Sequence, residues 1–245
     1  MKRVLPPLVL LAALIGVWQI VAGFVDPLIL SSPAETVRAL SRDHSLLLDE
    51  AGVTAIEVVL GLAIAIVAGV AIAVAMHLVR PLRISAYPLL IASQAIPVVT
   101  LAPILILAFG YGIGPKLAMV ALVCFFPIAI STLAGLASVD VELLKLMRVL
   151  GASRVRRLWK AELPAALPFF FSGLKLAGVF AVIGAVFGEW AGADRGLGRL
   201  ILLANNQLQT PRVYAGIVLL TAMAIVLFVA VVIAERVAVP WKGRT

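Results

Sequence analysis

Few of the 245 residues have types or spacing that could do chemistry, and those few are scattered among long apolar runs. Glu57, Lys175 and Glu189 are the ionisable residues that fall within these runs or at their ends. Charge at such depth is costly, and it faces a cavity, reaches an interface or finds a partner. Lys175, well inside its run, reads as a residue that snorkels or pairs, and Glu57 reads the same way. Glu189 is the better functional candidate. It opens GEWAGADRGLGRLILLANNQLQT, where glycines, Trp190, Asp194, Asn205, Asn206 and Gln207 collect; the alternative is a hydrogen-bonded outer loop. His44 and His77 are far apart, neither has a ligand partner three or four residues on, and the single Cys124 lies in an apolar run. No metal site, intrachain disulfide or catalytic residue is therefore expected. There is no GxxxxGK[ST] phosphate loop, so this chain is not its own ATPase by that mechanism and needs no cofactor of its own.

A second group of residues interrupts an apolar run. Pro97 and Pro103 each remove a backbone donor, while Gln94 and Thr100 add side-chain polarity at membrane depth. Broken helices of this kind are tolerated where the freed groups face protein or a water-filled path. Gln94, Pro97 and Thr100 thus read either as the wall of a translocation path, with Glu189 at its outer border, or as a kinked packing helix.

The longest polar stretch, VDVELLKLMRVLGASRVRRLWKAELPA over 139–165, is a basic island. Leu143, Leu146, Met147 and Leu150 recur at spacings of three and four, which predicts an amphipathic helix over 141–150. Gly151 permits positive φ and ends it, and Ser153 can cap a second helix carrying Val155, Leu158, Trp159 and Glu162 on one side. Leu163 and Pro164 are expected to stop that helix. From composition alone the island reads as a hairpin on a membrane surface, its arginines and lysines meeting anionic head groups.

These groups must be positioned by membrane helices. The chain is 63% hydrophobic and 13% charged, too apolar for an ordinary soluble domain. Spans are expected at about 4–24, 53–78, 84–109, 115–136, 166–187 and 213–234, with a cytoplasmic loop at about 137–165: an all-α polytopic membrane protein forming one domain over 1–245. The first run is longer than the apolar core of a signal peptide and lacks a clear cleavage site, so it reads as an uncleaved span. Residues 26–52 and 188–212 are expected outside the bilayer, the former with a short surface helix after Ser31-Ser32-Pro33. The net charge of +8 lies at the ends of apolar runs and does not point to nucleic acid. Lys2, Arg3, Arg80, Arg83, the six basic residues of the island, Arg236, Lys242 and Arg244 fall on one face, outnumbering those on the other. Both termini and the island are therefore expected in the cytoplasm.

The order Gly151, nine residues, Ala161, one spacer, Leu163-Pro164 resembles the "EAA" loop of ATP-binding-cassette (ABC) importer permeases. Lys145, Leu146 and Met147 stand where that family has Glu-Ala-Ala. Together with ILSSPAETVRAL, IPVVTLAPILILAFGYGIG, FFPIAISTLAGL, LPFFFSGLKLA and GEWAGADRGLG, the chain is similar to permeases of the nitrate, sulfonate, taurine and thiamine-precursor importers. The GEW stretch, ANNQLQT and the final PWKG look most like permeases for the pyrimidine precursor of thiamine. The resemblance implies the type I importer fold in a bacterial inner membrane. It also implies a second copy of the permease, a cytoplasmic ATPase dimer that binds ATP, and an extracytoplasmic solute-binding protein. Gly151, Ala152, Ser153, Leu158, Trp159, Leu163 and Pro164 would form the coupling region, and a hydroxymethylpyrimidine-type precursor is the favoured solute, with a sulfonate, taurine or nitrate as alternatives. A gradient-driven secondary transporter and a membrane scaffold are the other classes to weigh. The first is expected to show mid-membrane carboxylates and internal repeats; the second needs no path.

Overall fold

The computed structural model describes residues 5–241, so Lys2, Arg3, Val4, Lys242 and Arg244, which entered the charge count and the first span, lie outside the described residues. Every element among them is helical: α1 Leu5–Ala22, α2 Pro33–Arg42, α3 His44–Leu78, α4 Arg80–Ser93, a 3-10 turn Val98–Leu101, α5 Ala102–Phe109, α6 Ile113–Leu136, α7 Val141–Val149, α8 Arg154–Arg157, a π-type turn Leu158–Glu162, α9 Leu163–Trp190, α10 Leu197–Asn206 and α11 Thr210–Ala238.

Four continuous helical runs are long and apolar enough to cross a membrane: His44–Leu78, Ile113–Leu136, Arg154–Trp190 and Thr210–Ala238. The expected third span is instead a pair, Arg80–Ser93 and Val98–Phe109, bent by 98°. α1, 18 residues from Leu5 to Ala22 and almost wholly apolar, is the described part of the expected first span. The helix begun at His44 precedes the expected Val53, and the polar segment 188–212 contains α10.

The residues group into two compact units: one built from the described residues up to Thr54 with Asp194–Ala222, the other from Ala55–Ala193 with the described residues from Met223. In the second unit α6 lies against α9 and α3, and small residues allow it. A Cβ on Gly173 would stand 2.4 Å from the Pro127 carbonyl, one on Gly184 3.0 Å from the Val120 Cα, and one on Gly61 2.5 Å from the Val120 Cβ. In lipid, where apolar burial gives helices little reason to associate, such close approach is what holds them together. Met119, Val120, Cys124 and Ile128 fill the seam, and the Cys124 thiol donates to the Ala177 carbonyl at 3.2 Å. Lys175 pairs with Glu235 of α11, which selects pairing over snorkelling for that lysine.

The first unit is fastened by polar contacts. Ser32 caps α2 through a reciprocal pair: the Glu35 amide donates to Ser32 Oγ at 3.2 Å and the Ser32 amide to Glu35 Oε2 at 2.9 Å. This pairing holds the Glu35 carboxyl below its ordinary pKa. Glu50 and Thr54, one turn apart on α3, cap α10: Glu50 accepts from the Gly196 amide and the Arg195 guanidinium, and Thr54 Oγ accepts from the Leu197 amide at 2.9 Å.

Candidate functional site

The break between α4 and α5 follows from its prolines. Pro97 precedes the 3-10 turn and Pro103 sits in the first turn of α5, positions where a missing N–H costs nothing, so both start a helix rather than continue one. Ahead of both, the chain turns through Gln94, whose amide reaches the Ile91 carbonyl at 3.2 Å, and Ile96, whose amide reaches the Ser93 carbonyl at 3.2 Å. Thr100 directs its hydroxyl at the Pro97 carbonyl, 2.6 Å away. The break opens on a cavity of about 340 Å³, lined by Ser93, Gln94 and Ile96 on one side and by Leu122, Phe126 of α6 and Phe180 of α9 on the other. Of the residues expected on a translocation path, Gln94 lines this cavity; Pro97 and Thr100 shape the turn beside it.

Glu189 is placed elsewhere. It is 0% exposed, near the end of α9, and forms a buried cluster with Glu57 of α3 (1%) and Lys116 of α6 (8%). Lys116 Nζ donates to Glu57 Oε1 at 2.6 Å, and the Glu189 carboxyl lies beside Glu57. Lys116 stands in the first turn of α6 and Glu189 in the last turn of α9, each at the helix end its charge disfavours. Their places are therefore set by one another and by Glu57, not by their own helices. Gly188 makes room: a Cβ there would stand 3.0 Å from the Lys116 Cα. Spacing gives no sign of the role of Lys116, because its partner lies 59 residues away.

The basic island folds nearly as its spacing predicts. Asp140 caps α7 by accepting from the Glu142 amide at 2.8 Å, Gly151 turns with φ 76°, and Ser153 accepts from the Arg156 amide at 3.3 Å. The exception is its end. Leu163 and Pro164 do not stop the helix; Arg154–Trp190 is one continuous run of 37 residues. Pro164 falls in the first turn of α9, just after the π-type turn, where its ring and absent donor are accommodated. Leu158 is 7% exposed and packs with Leu136 and Ala166, while its neighbour Trp159 is 67% exposed. Leu163 packs against the same cluster. Two polar contacts tie this segment to the end of α3: His77 Nε2 lies 3.0 Å from Glu162 Oε2, and Arg154 donates to the Leu78 carbonyl. What remains on the surface is an apolar patch of Val149, Leu150, Val155 and Trp159 around Gly151, bordered by arginines. An exposed cluster of this kind marks an interaction surface.

The chain thus combines apolar helices, a break beside a cavity and an exposed basic loop with an apolar centre. The family profile described as "Binding-protein-dependent transport system inner membrane component" matches residues 61–242. The formylaminopyrimidine transport permease protein ThiX of Halalkalibacterium halodurans is 36% identical over 249 aligned residues, covering 100% of both chains. The taurine transport system permease protein TauC of Escherichia coli is 30% identical, covering 96% of this chain and 88% of that one. Among solved structures, the inward-facing MetNI methionine ABC transporter superposes with a TM-score of 0.70 at 19% identity, over 80% of this chain and 98% of that one, a likeness of fold. The chain belongs to the binding-protein-dependent inner membrane components: it is a permease subunit of an ABC importer, a transport component whose relatives work with separate ATPase subunits.

Proposed function

We propose that this permease carries a pyrimidine precursor of thiamine, of the formylaminopyrimidine or hydroxymethylpyrimidine type, into the cell. The observation that carries the reading is the 36% identity to the formylaminopyrimidine permease along the whole of both chains. Two copies of the permease form the path, with both termini and the basic island in the cytoplasm. A solute-binding protein delivers the pyrimidine from outside, and a cytoplasmic ATPase dimer binds and hydrolyses ATP. The apolar patch around Gly151 seats each ATPase subunit: Val149, Leu150, Val155 and Trp159 supply contact area, Gly151 and Ala152 the turn, and Ser153 the cap of the helix that follows. Leu158, Leu163 and Pro164 join the patch to the spans from within, so closing of the ATPase dimer moves α9.

The test is ATP-dependent uptake in vesicles holding the permease with its ATPase and binding protein, with labelled aminopyrimidine, taurine and an alkanesulfonate offered side by side. Uptake of the pyrimidine alone is the expected result; uptake of taurine or the sulfonate alone overturns the solute. Absence of any stimulation by ATP overturns the coupled mechanism.

A further inference from the structure

The cavity at the broken segment has a chemical character of its own. Its lining residues, all of them described, include no ionisable side chain: Ser93 and Gln94 are polar and the rest are apolar or aromatic. A sulfonate, a carboxylate or a zwitterion entering it would leave its hydration shell and meet no opposite charge, a transfer that costs far more than burying a neutral polar group. An uncharged solute needs only a few hydrogen bonds. Gln94 can supply them in both directions, since its amide is acceptor and donor at once and so matches the adjacent acceptor and donor positions on the edge of an amino-substituted nitrogen heterocycle. Phe126 and Phe180 offer aromatic faces, and flat heterocycles stack on such faces with little regard to their substituents. The volume, about 340 Å³, is at the lower end of the roughly 300–1,000 Å³ of ligand pockets and suits a single-ring molecule.

The position has the same meaning. The turn through Gln94 to Pro97 divides the segment Arg80–Phe109 near its middle, far from the arginines at one end and Gly110 at the other. Non-helical backbone at membrane depth is stable where it borders a cavity rather than lipid. The cavity and the irregular turn therefore account for one another.

We infer that the permease itself holds a solute site in this cavity, selective for a small, uncharged, planar nitrogen heterocycle, with Gln94 reading the polar edge of the ring and Phe126 and Phe180 holding its faces. The inference rests on the pyrimidine reading above and deepens it: selectivity is divided between the binding protein and the membrane subunit.

The experiment uses the permease assembled with its ATPase in lipid nanodiscs, without binding protein, and the same assembly with binding protein in vesicles. Labelled aminopyrimidine binds the nanodisc complex saturably, and taurine does not compete. Gln94→Leu, a near-isosteric change at an exposed position, weakens that binding about tenfold, as expected for one lost solute hydrogen bond, and raises the KM of uptake in the same proportion. Val123→Trp, which fills the cavity, abolishes both in complexes that still copurify with the ATPase. Pyrimidine uptake by the wild type with no response to Gln94→Leu, or with no saturable binding in nanodiscs, overturns the site and leaves the solute reading standing. Uptake of taurine alone overturns the solute reading first, and the site with it.

Discussion

Two regions of the second unit make opposite use of polarity. At Glu57, Lys116 and Glu189 three ionisable side chains are packed together with almost no exposure, Lys116 paired with Glu57. At the broken segment a more open cavity is lined without a single charge. The contrast teaches that intramembrane charge here is a fastening between α3, α6 and α9, while the surface proposed above to hold the solute is neutral. A buried ion cluster binds its own partners too firmly to exchange them for a solute. A cavity with one amide and two aromatic faces lets go readily.

The largest test of that contrast is Lys116→Met, which removes the counter-charge that donates to Glu57. Breaking a buried pair on one side costs about 3–5 kcal/mol, so a marked fall in thermal stability of the purified protein is expected, and Glu57→Gln added to Lys116→Met restores most of it. Loss of uptake at unchanged stability would make the cluster part of the path and collapse the distinction.

A smaller effect separates neighbours in the loop. Leu158→Ala removes a side chain packed against Leu136 and Ala166 and is expected to cost about 2–5 kcal/mol of stability, whereas Trp159→Ala leaves the melting temperature in place and weakens copurification with the ATPase. Equal effects of the two on stability would mean that the patch is folded inward.

Gly151→Val sharpens the same point. A β-branched residue at φ 76° is strained by roughly 1–2 kcal/mol although nothing crowds its Cβ, so the spans stay folded while ATP hydrolysis and uptake come apart. Uptake at full rate would remove the loop from the coupling path.

The smallest effect lies outside the membrane. Arg42 and Arg212 hold the Asp43 carboxyl down at about 2, against an ordinary 3.8. Because the folded value is depressed, this contribution is complete above about pH 4 and is lost as pH falls from 3.8 through 2. Hydrogen exchange in α2 is expected to rise over that window, and Arg212→Met shifts the onset toward higher pH; an unchanged onset would assign the anchoring to Arg42 alone.

Local chemistry was legible in the sequence and distant pairing was not. Ser32 with Glu35, Gly151, Ser153 and the prolines of the broken segment act within a few residues of themselves, so spacing alone locates the caps and turns they make. Glu189, Glu57 and Lys116 act across 59 residues or more, and α3, α6 and α9 are apolar on every side, which leaves no stripe from which a facing partner can be read. That is why Glu189 looked like a residue of the outer loop. The run past Leu163 and Pro164 had a different cause: a proline signals a stop by default, and the widened turn before it, which removes the need to stop, has no signature in residue type.

That uninterrupted helix has a mechanical consequence. Thirty-seven residues at 1.5 Å each make a rod of roughly 55 Å, with Arg154 at its cytoplasmic tip under the arrangement proposed above and Glu189 beside its far end. No hinge made of loop separates the two, and the pliable places are the widened turn at Leu158–Glu162 and Pro168 inside the helix. A push at the tip is delivered as tilt, pivoting on the glycine-lined seam with α6, and the pinned charges at the other end set where the rod cannot slide.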